Sequence, residues 1–136
     1  WHRLAAWPDV VTGVDRLRRR YATCALSNGN VSLLVDLARY NEMSWDCVLS
    51  AELARDYKPK AVVYLRAAEL LGLQPEQVLM VAAHDHDLIG ARAAGFATAF
   101  LPRADEWGPG AGAEIPESAH DLSVDDFHAL AGALGV

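Results

Sequence analysis

Apolar residues recur along this chain in two alternating rhythms, one helical and one extended. Val10, Val14 and Leu17 fall on one helical face after Pro8 and Asp9, which serve as a start signal. The run ATCAL, residues 22–26, then reads as a strand. Residues 30–40 read as a helix with Leu33, Leu34 and Leu37 along one stripe, and CVLSA, residues 47–51, as a second short strand. The next helix is predicted over residues 59–71, with Pro59 at its first position and Gly72 just past its end. VLMVAA, residues 78–83, is an almost unbroken apolar run, the pattern of a parallel strand covered on both faces. A short helix over residues 87–94 stops at Gly95, and ATAFL, residues 97–101, is a further strand. Residues 102–118 form a Pro/Gly-rich loop, DLS at 121–123 a last short strand, and Ser123 with Asp126 a capping box opening the terminal helix.

Strands that alternate with helices in this way specify an α/β fold, a three-layer Rossmann-like core with a mostly parallel sheet and helices on both faces. No internal repeat is visible. With 136 residues and half of them apolar, the chain is long enough for one globular domain and too short for two. Its net charge of −6 argues against a nucleic-acid partner. The basic run of Arg16 and Arg18 to Arg20 is expected in the last turn of the first helix, solvated and favourable to the dipole. No apolar run reaches membrane-spanning length and nothing resembles a signal peptide. Cys24 and Cys47 lie within strand runs, read as reduced core residues suited to a cytoplasmic protein. Neither has the spacing or the neighbouring histidine of a metal pair.

Ligands of open parallel sheets bind beyond the carboxyl ends of the strands. Three such ends carry polar residues here. After the first strand, Ser27, Asn28, Gly29 and Asn30 place a hydroxyl and an amide before a helix N-terminus, where free N–H groups favour an anion; the plain alternative is a connecting loop with Asn30 as N-cap. After the second, Lys58 precedes a helix start, where a cation opposes the dipole unless a carboxylate, a phosphate or an Asp rewards it. Tyr64 either packs in the core or reaches the same place. After the third come His84, Asp85, His86 and Asp87, where Asp87 can cap the short helix. Their alternation lacks the spacing of known zinc motifs, so no metal is assigned.

In order and spacing, these segments resemble the haloacid dehalogenase superfamily of hydrolases, and within it the type II L-2-haloacid dehalogenase branch. WPDVVTGVDRLRRRYATCALSNGN resembles the path from cap to core that ends in the second motif, VLSAELARDYKPKAVVY the third, and VLMVAAHDHDLIGARAAGFATAFLPR the fourth. RADEWGPG resembles the loop that follows. The resemblance implies a carboxylate nucleophile that displaces halide from a small 2-haloacid, giving an ester that water hydrolyses. It implies catalytic roles for Lys58, Asp87 and Ser27, and substrate contacts for Ser27, Asn28, Tyr64 and His84. Lys58 would steady the nucleophile, and Asp87 would orient and activate the water. No cofactor is implied; dimers are common in such families, so a homodimer is one open assembly, and the sequence leaves the oligomeric state undecided.

Two positions depart from the branch. Ala82 and His84 stand where it usually carries Ser and Asn; His84 can donate a hydrogen bond as Asn would, or act as an acid or base. Superfamily phosphatases need a Mg²⁺-binding carboxylate where this chain has Ala83. No DxxGT motif, the home of the nucleophile, occurs in the sequence. The expectation is therefore that residues 1–8 are the end of a cap or linker and residues 9–136 a hydrolase core whose first strand lies upstream. On this expectation the piece alone is inactive, with an apolar edge where that strand belongs. The competing readings are a Mg²⁺-dependent phosphatase and a non-catalytic α/β module that binds a partner.

Overall fold

The computed structural model describes residues 1–136. The elements follow the predicted order: α1 (Val10–Leu17), β1 (Cys24–Ser27), α2 (Val31–Tyr40), β2 (Cys47–Ser50), α3 (Ala61–Leu71), β3 (Leu79–Ala82), α4 (Asp85–Ala93), β4 (Ala97–Phe100), β5 (Leu122–Ser123) and α5 (Phe127–Ala133). Short 3₁₀ turns at Ala51–Ala54 and Pro75–Gln77 add to these. Every strand pairing is parallel, as the α/β reading requires. The strands form two hydrogen-bonded sheets where one was expected, β1–β2 and β3–β4–β5. The chain divides into two compact units, Trp1–Tyr57 with Asp126–Val136, and Lys58–Asp125.

In the first unit, β1 and β2 pair from Cys24↔Cys47 to Ser27↔Ser50. Asp46 pins this register. Its N–H donates to Thr23 O at 2.9 Å, and its Oδ2 accepts from the Thr23 N–H at 2.8 Å and the Thr23 hydroxyl at 3.2 Å. Arg18 donates through Nε and Nη2 to Asp46 Oδ1 at 3.1 and 2.8 Å. The Arg18 guanidinium, helped by the Thr23 donors, holds the Asp46 carboxyl down at about 2. The basic run thus does more than face water, because Arg18 secures the sheet edge. With a single strand neighbour, β1 is half-buried along its length rather than buried as expected. The α2 stripe of Leu33, Leu34 and Leu37 is likewise only half-buried.

Helices α1 and α5 pack together through Val10, Val14, Leu17, Leu130 and Ala131. They cross at Gly13, where a Cβ would stand 2.4 Å from Phe127 Cβ. Asp9 makes no cap bond to its own helix and instead accepts from the Phe127 N–H at 2.9 Å. The expected Ser123 cap is wrong. Ser123 is an extended β5 residue paired with Phe100, and Asp126 caps α5 by accepting from Ala129 N–H at 2.7 Å.

In the second unit, Asp121 repeats the Asp46 device. Its Oδ2 accepts from the Thr98 N–H at 2.8 Å, from the Thr98 hydroxyl at 3.0 Å and from Arg92 at 3.4 Å. Val63, Tyr64, Ala67, Leu88, Ala91, Phe96, Thr98 and Ala99 form its core. Helix α3 ends on Gly72 at φ 68°, as predicted. Its start differs from expectation: Lys60 holds the N-cap position, and Pro59 lies outside the helix after a cis bond to Lys58. Helix α4 opens two residues earlier than predicted, at Asp85, with His84 at the N-cap position. Both Asp85 and Asp87 therefore lie in its first turn, where unpaired N–H groups and the dipole favour carboxylates.

Candidate active site

The start of α3 and the first turn of α4 build one tight cluster. Lys58 Nζ lies 2.6 Å from Asp87 Oδ2, and both side chains are almost fully buried, at 13% and 12% exposed. On the other carboxylate oxygen, the Tyr64 hydroxyl donates to Asp87 Oδ1 at 2.6 Å and also lies 3.0 Å from the Asp87 carbonyl. Tyr64 is wholly buried, its ring edge-on to Phe96. Burial, reinforced by the Asp87 carboxylate, pushes the Tyr64 hydroxyl far above its ordinary range, so it stays a protonated donor. The cation before α3 is thus rewarded by Asp87, and Tyr64 both packs in the core and reaches the same carboxylate. Asp87 does not cap its helix, since it sits inside the first turn.

Close packing makes room for this. A Cβ on Gly90 would stand 2.8 Å from Pro59 Cβ and Pro59 O and 2.9 Å from the Tyr64 hydroxyl. Only a residue without a side chain lets α4 approach the start of α3 so closely.

His84, at the end of β3, is gripped by the following loop. Its Nδ1 is 2.8 Å from Glu114 and its Nε2 3.0 Å from Glu106, with Trp107 tilted against the ring at 6.0 Å. Glu114 also accepts from the Asp85 N–H at 2.7 Å. The Glu114 carboxylate, with Glu106 adding to it, raises the His84 pKa against the opposing effect of burial. Both ring nitrogens are therefore already engaged with carboxylates. Asp85 is a structural anion: its carboxylate accepts from the Glu117 N–H at 3.0 Å and from His120 at 2.8 Å. Burial pushes that carboxyl up, but these donors outweigh it and leave it below the ordinary value.

Ser27 and Asn28 lie in the other compact unit, at the carboxyl end of β1. The expected set of free N–H donors there is largely used up. Gly29 N–H donates to Ser27 Oγ at 3.0 Å, Val31 N–H to Glu52 at 3.0 Å, and Leu33 N–H to the Asn30 cap at 3.1 Å. Ser50 fixes the turn by donating to Gly29 O at 2.6 Å. A hydroxyl that accepts one bond keeps its own proton to donate, so Ser27 can still offer O–H. Asn28 lines an open cleft of about 310 Å³ with Asn30, Glu52, Arg55, Asp56 and Tyr57.

Sequence reasoning missed Glu106, Glu114, Ser50 and Glu52. Their partners are 21 to 30 residues away, and nothing local marks them. The donor set does not suit Mg²⁺. Ala83 offers no ligand, the Lys58 ammonium already lies on Asp87 Oδ2, and no group of three metal-binding side chains forms.

Comparison with known proteins agrees with the resemblance. A family profile described as haloacid dehalogenase-like hydrolase matches residues 1–95. A curated relative, (S)-2-haloacid dehalogenase 1 of Pseudomonas sp. strain CBS-3, is 33% identical over 106 residues, covering 76% of this chain and 47% of that protein. The crystal structure of the L-2-haloacid dehalogenase PA0810 superposes with a TM-score of 0.95 at 44% identity, over 99% of this chain and 60% of that one. The L-2-haloacid dehalogenase of Xanthobacter autotrophicus with chloropropionic acid covalently bound matches at 0.86 and 25% identity, over 98% of this chain and 62% of that one. The chain spans about half the length of the curated relatives it matches.

Proposed function

Because this chain belongs to the haloacid dehalogenase-like hydrolase family, we propose that it carries the water-activating part of a 2-haloacid dehalogenase. The observation that supports this best is the Asp87 carboxylate, held on one oxygen by Lys58 and on the other by Tyr64. An ionised carboxylate has about four lone-pair sites, so two held oxygens still leave acceptor capacity for a water. Held on both oxygens, Asp87 is aimed rather than free to turn, and it can take a proton as the water attacks an ester. Lys58 keeps a positive charge beside the reacting groups, which stabilises a carboxylate nucleophile and the anion that forms on it. Ser27 and Asn28 are assigned to the substrate carboxylate. His84 is assigned to the pocket wall, where Glu106 and Glu114 set its orientation.

The attacking aspartate is proposed to come from a DxxGT strand outside residues 1–136. It would displace halide from the substrate carbon, form an ester, and be regenerated by the water that Asp87 activates. No metal or cofactor is required, and the substrate is a small 2-haloacid anion. The two free thiols suit a reducing compartment, and the cytoplasm is the proposed location. No helix is long and apolar enough to cross a membrane.

The test uses the protein in which these residues follow such a strand. L-2-chloropropionate should release chloride at full rate in EDTA. Asp87→Asn should release one equivalent and stop, with the aspartyl ester adduct visible by intact mass. Turnover of a phosphate ester only, abolished by EDTA, would instead establish the phosphatase reading.

A further inference from the structure

The two cysteines are 23 positions apart in the sequence, and nothing in their spacing marks them as a pair. The parallel register places them directly opposite each other at the first position of β1 and β2. That register is held immediately upstream by the Thr23–Asp46 and Arg18–Asp46 bonds, so it cannot slip by a residue without losing them. Directly opposed residues point to the same face of a sheet. Neighbouring strands lie about 4.8 Å apart, which brings the two side chains within reach of a shared ligand. Both cysteines are free, and neither is fully buried.

We infer that Cys24 and Cys47 form a cross-strand dithiol that chelates a soft, thiophilic ligand of the trivalent arsenical class across its two sulfurs. The chemistry balances without an oxidant. An organoarsenic oxide, R–As=O, forms two As–S bonds, and its oxygen leaves as water with the two thiol protons. A disulfide would need two electrons removed by an oxidant, whereas the arsenic bridge closes with loss of water alone.

The surroundings favour this mode over simple alkylation. Burial, with Cys47 and Asp46 adding, pushes the Cys24 thiol up to about 11. At neutral pH it is a protonated, sluggish nucleophile. An isolated thiol of that kind gives weak, reversible arsenical adducts, whereas two thiols on one arsenic hold it by chelation.

The test titrates the reduced protein with phenylarsine oxide. Intact mass should show one phenylarsenic per chain, with two hydrogens lost and no titratable thiol remaining. The adduct should survive dilution and be stripped by dimercaptopropanol. Cys24→Ser and Cys47→Ser should each weaken binding at least 100-fold, and Cys24→Ala, with circular dichroism confirming the folded sheet, should do the same. An adduct that persists in either single variant, or a folded wild-type protein that takes up no arsenical, would overturn the inference.

Discussion

Tyr64 and Asp87 stand 23 residues apart, yet one hydroxyl meets both the side chain and the backbone of the aspartate, 2.6 Å from Oδ1 and 3.0 Å from O. Removing that hydroxyl leaves a buried carboxylate held by Lys58 alone. Tyr64→Phe should lower stability by about 1–3 kcal/mol, read as a fall in urea midpoint. In the complete enzyme it should slow ester hydrolysis more than halide release, because the water-directing carboxylate is freed to turn.

Lys58 and Asp87 form an almost fully buried pair, so breaking it strands a charge. Lys58→Ala should cost about 3–5 kcal/mol, whereas the double variant Lys58→Met with Asp87→Leu should recover much of the loss while remaining inactive. Equal destabilisation of single and double variants, seen in thermal melts, would show that the stranded Asp87 charge is not the source of the loss.

Two helical glycines give opposite predictions. Gly90→Ala forces a methyl against Pro59 and the Tyr64 hydroxyl, and should destabilise by about 1–3 kcal/mol. Gly132 lies in α5, and a Cβ there would meet nothing within 4 Å. Gly132→Ala should therefore stabilise by about 0.5–1 kcal/mol. Melting temperatures of the two variants decide both.

The grip on His84 is pH-dependent. Its pKa is raised in the folded chain, so the fold binds more proton than the unfolded chain there. The stabilisation is present in full below the ordinary value of 6.5 and is lost as pH rises through the raised one. Glu114→Gln should lower the His84 pKa, measured by NMR titration of the ring protons, and flatten the stability loss on the alkaline side of that window.

Asp46 works in the other direction. Its folded value of about 2 lies below the ordinary 3.8, so its contribution is present above 3.8 and is lost as pH falls through about 2. Asp46→Ala should remove this part of the acid response, and hydrogen exchange at β1 and β2 should then rise even at neutral pH.

Much of the fold was legible in the chain. Periodicity sets the order of helices and strands because an apolar face must be buried at 3.6 or 2 residues per repeat, and Gly72 ends α3 where its left-handed φ demands it. Lys58 and Asp87 stand out as candidates because charged groups at strand ends need partners, and Tyr64 joins them through the motif resemblance. Boundaries were less legible. The α4 start and the Asp126 cap depend on which residue is released from a strand first, and that is settled by pairing with a neighbour.

What the linear order cannot contain is proximity. The Thr–Asp–Arg clamp built on Thr23 and Asp46 returns on Thr98 and Asp121, yet no sequence repeat announces it. The two carboxylates that hold His84 come from Glu106 and Glu114, 22 and 30 residues further on, and nothing near His84 in the chain announces them. Cys24 and Cys47 read as two separate core residues until the sheet register sets them side by side. Local propensity acts over a few residues, whereas hydrogen bonds and ion pairs form wherever folding brings groups within about 3 Å. The sequence therefore determined which elements form and which chemistry they carry; only the folded chain decided which of those groups meet.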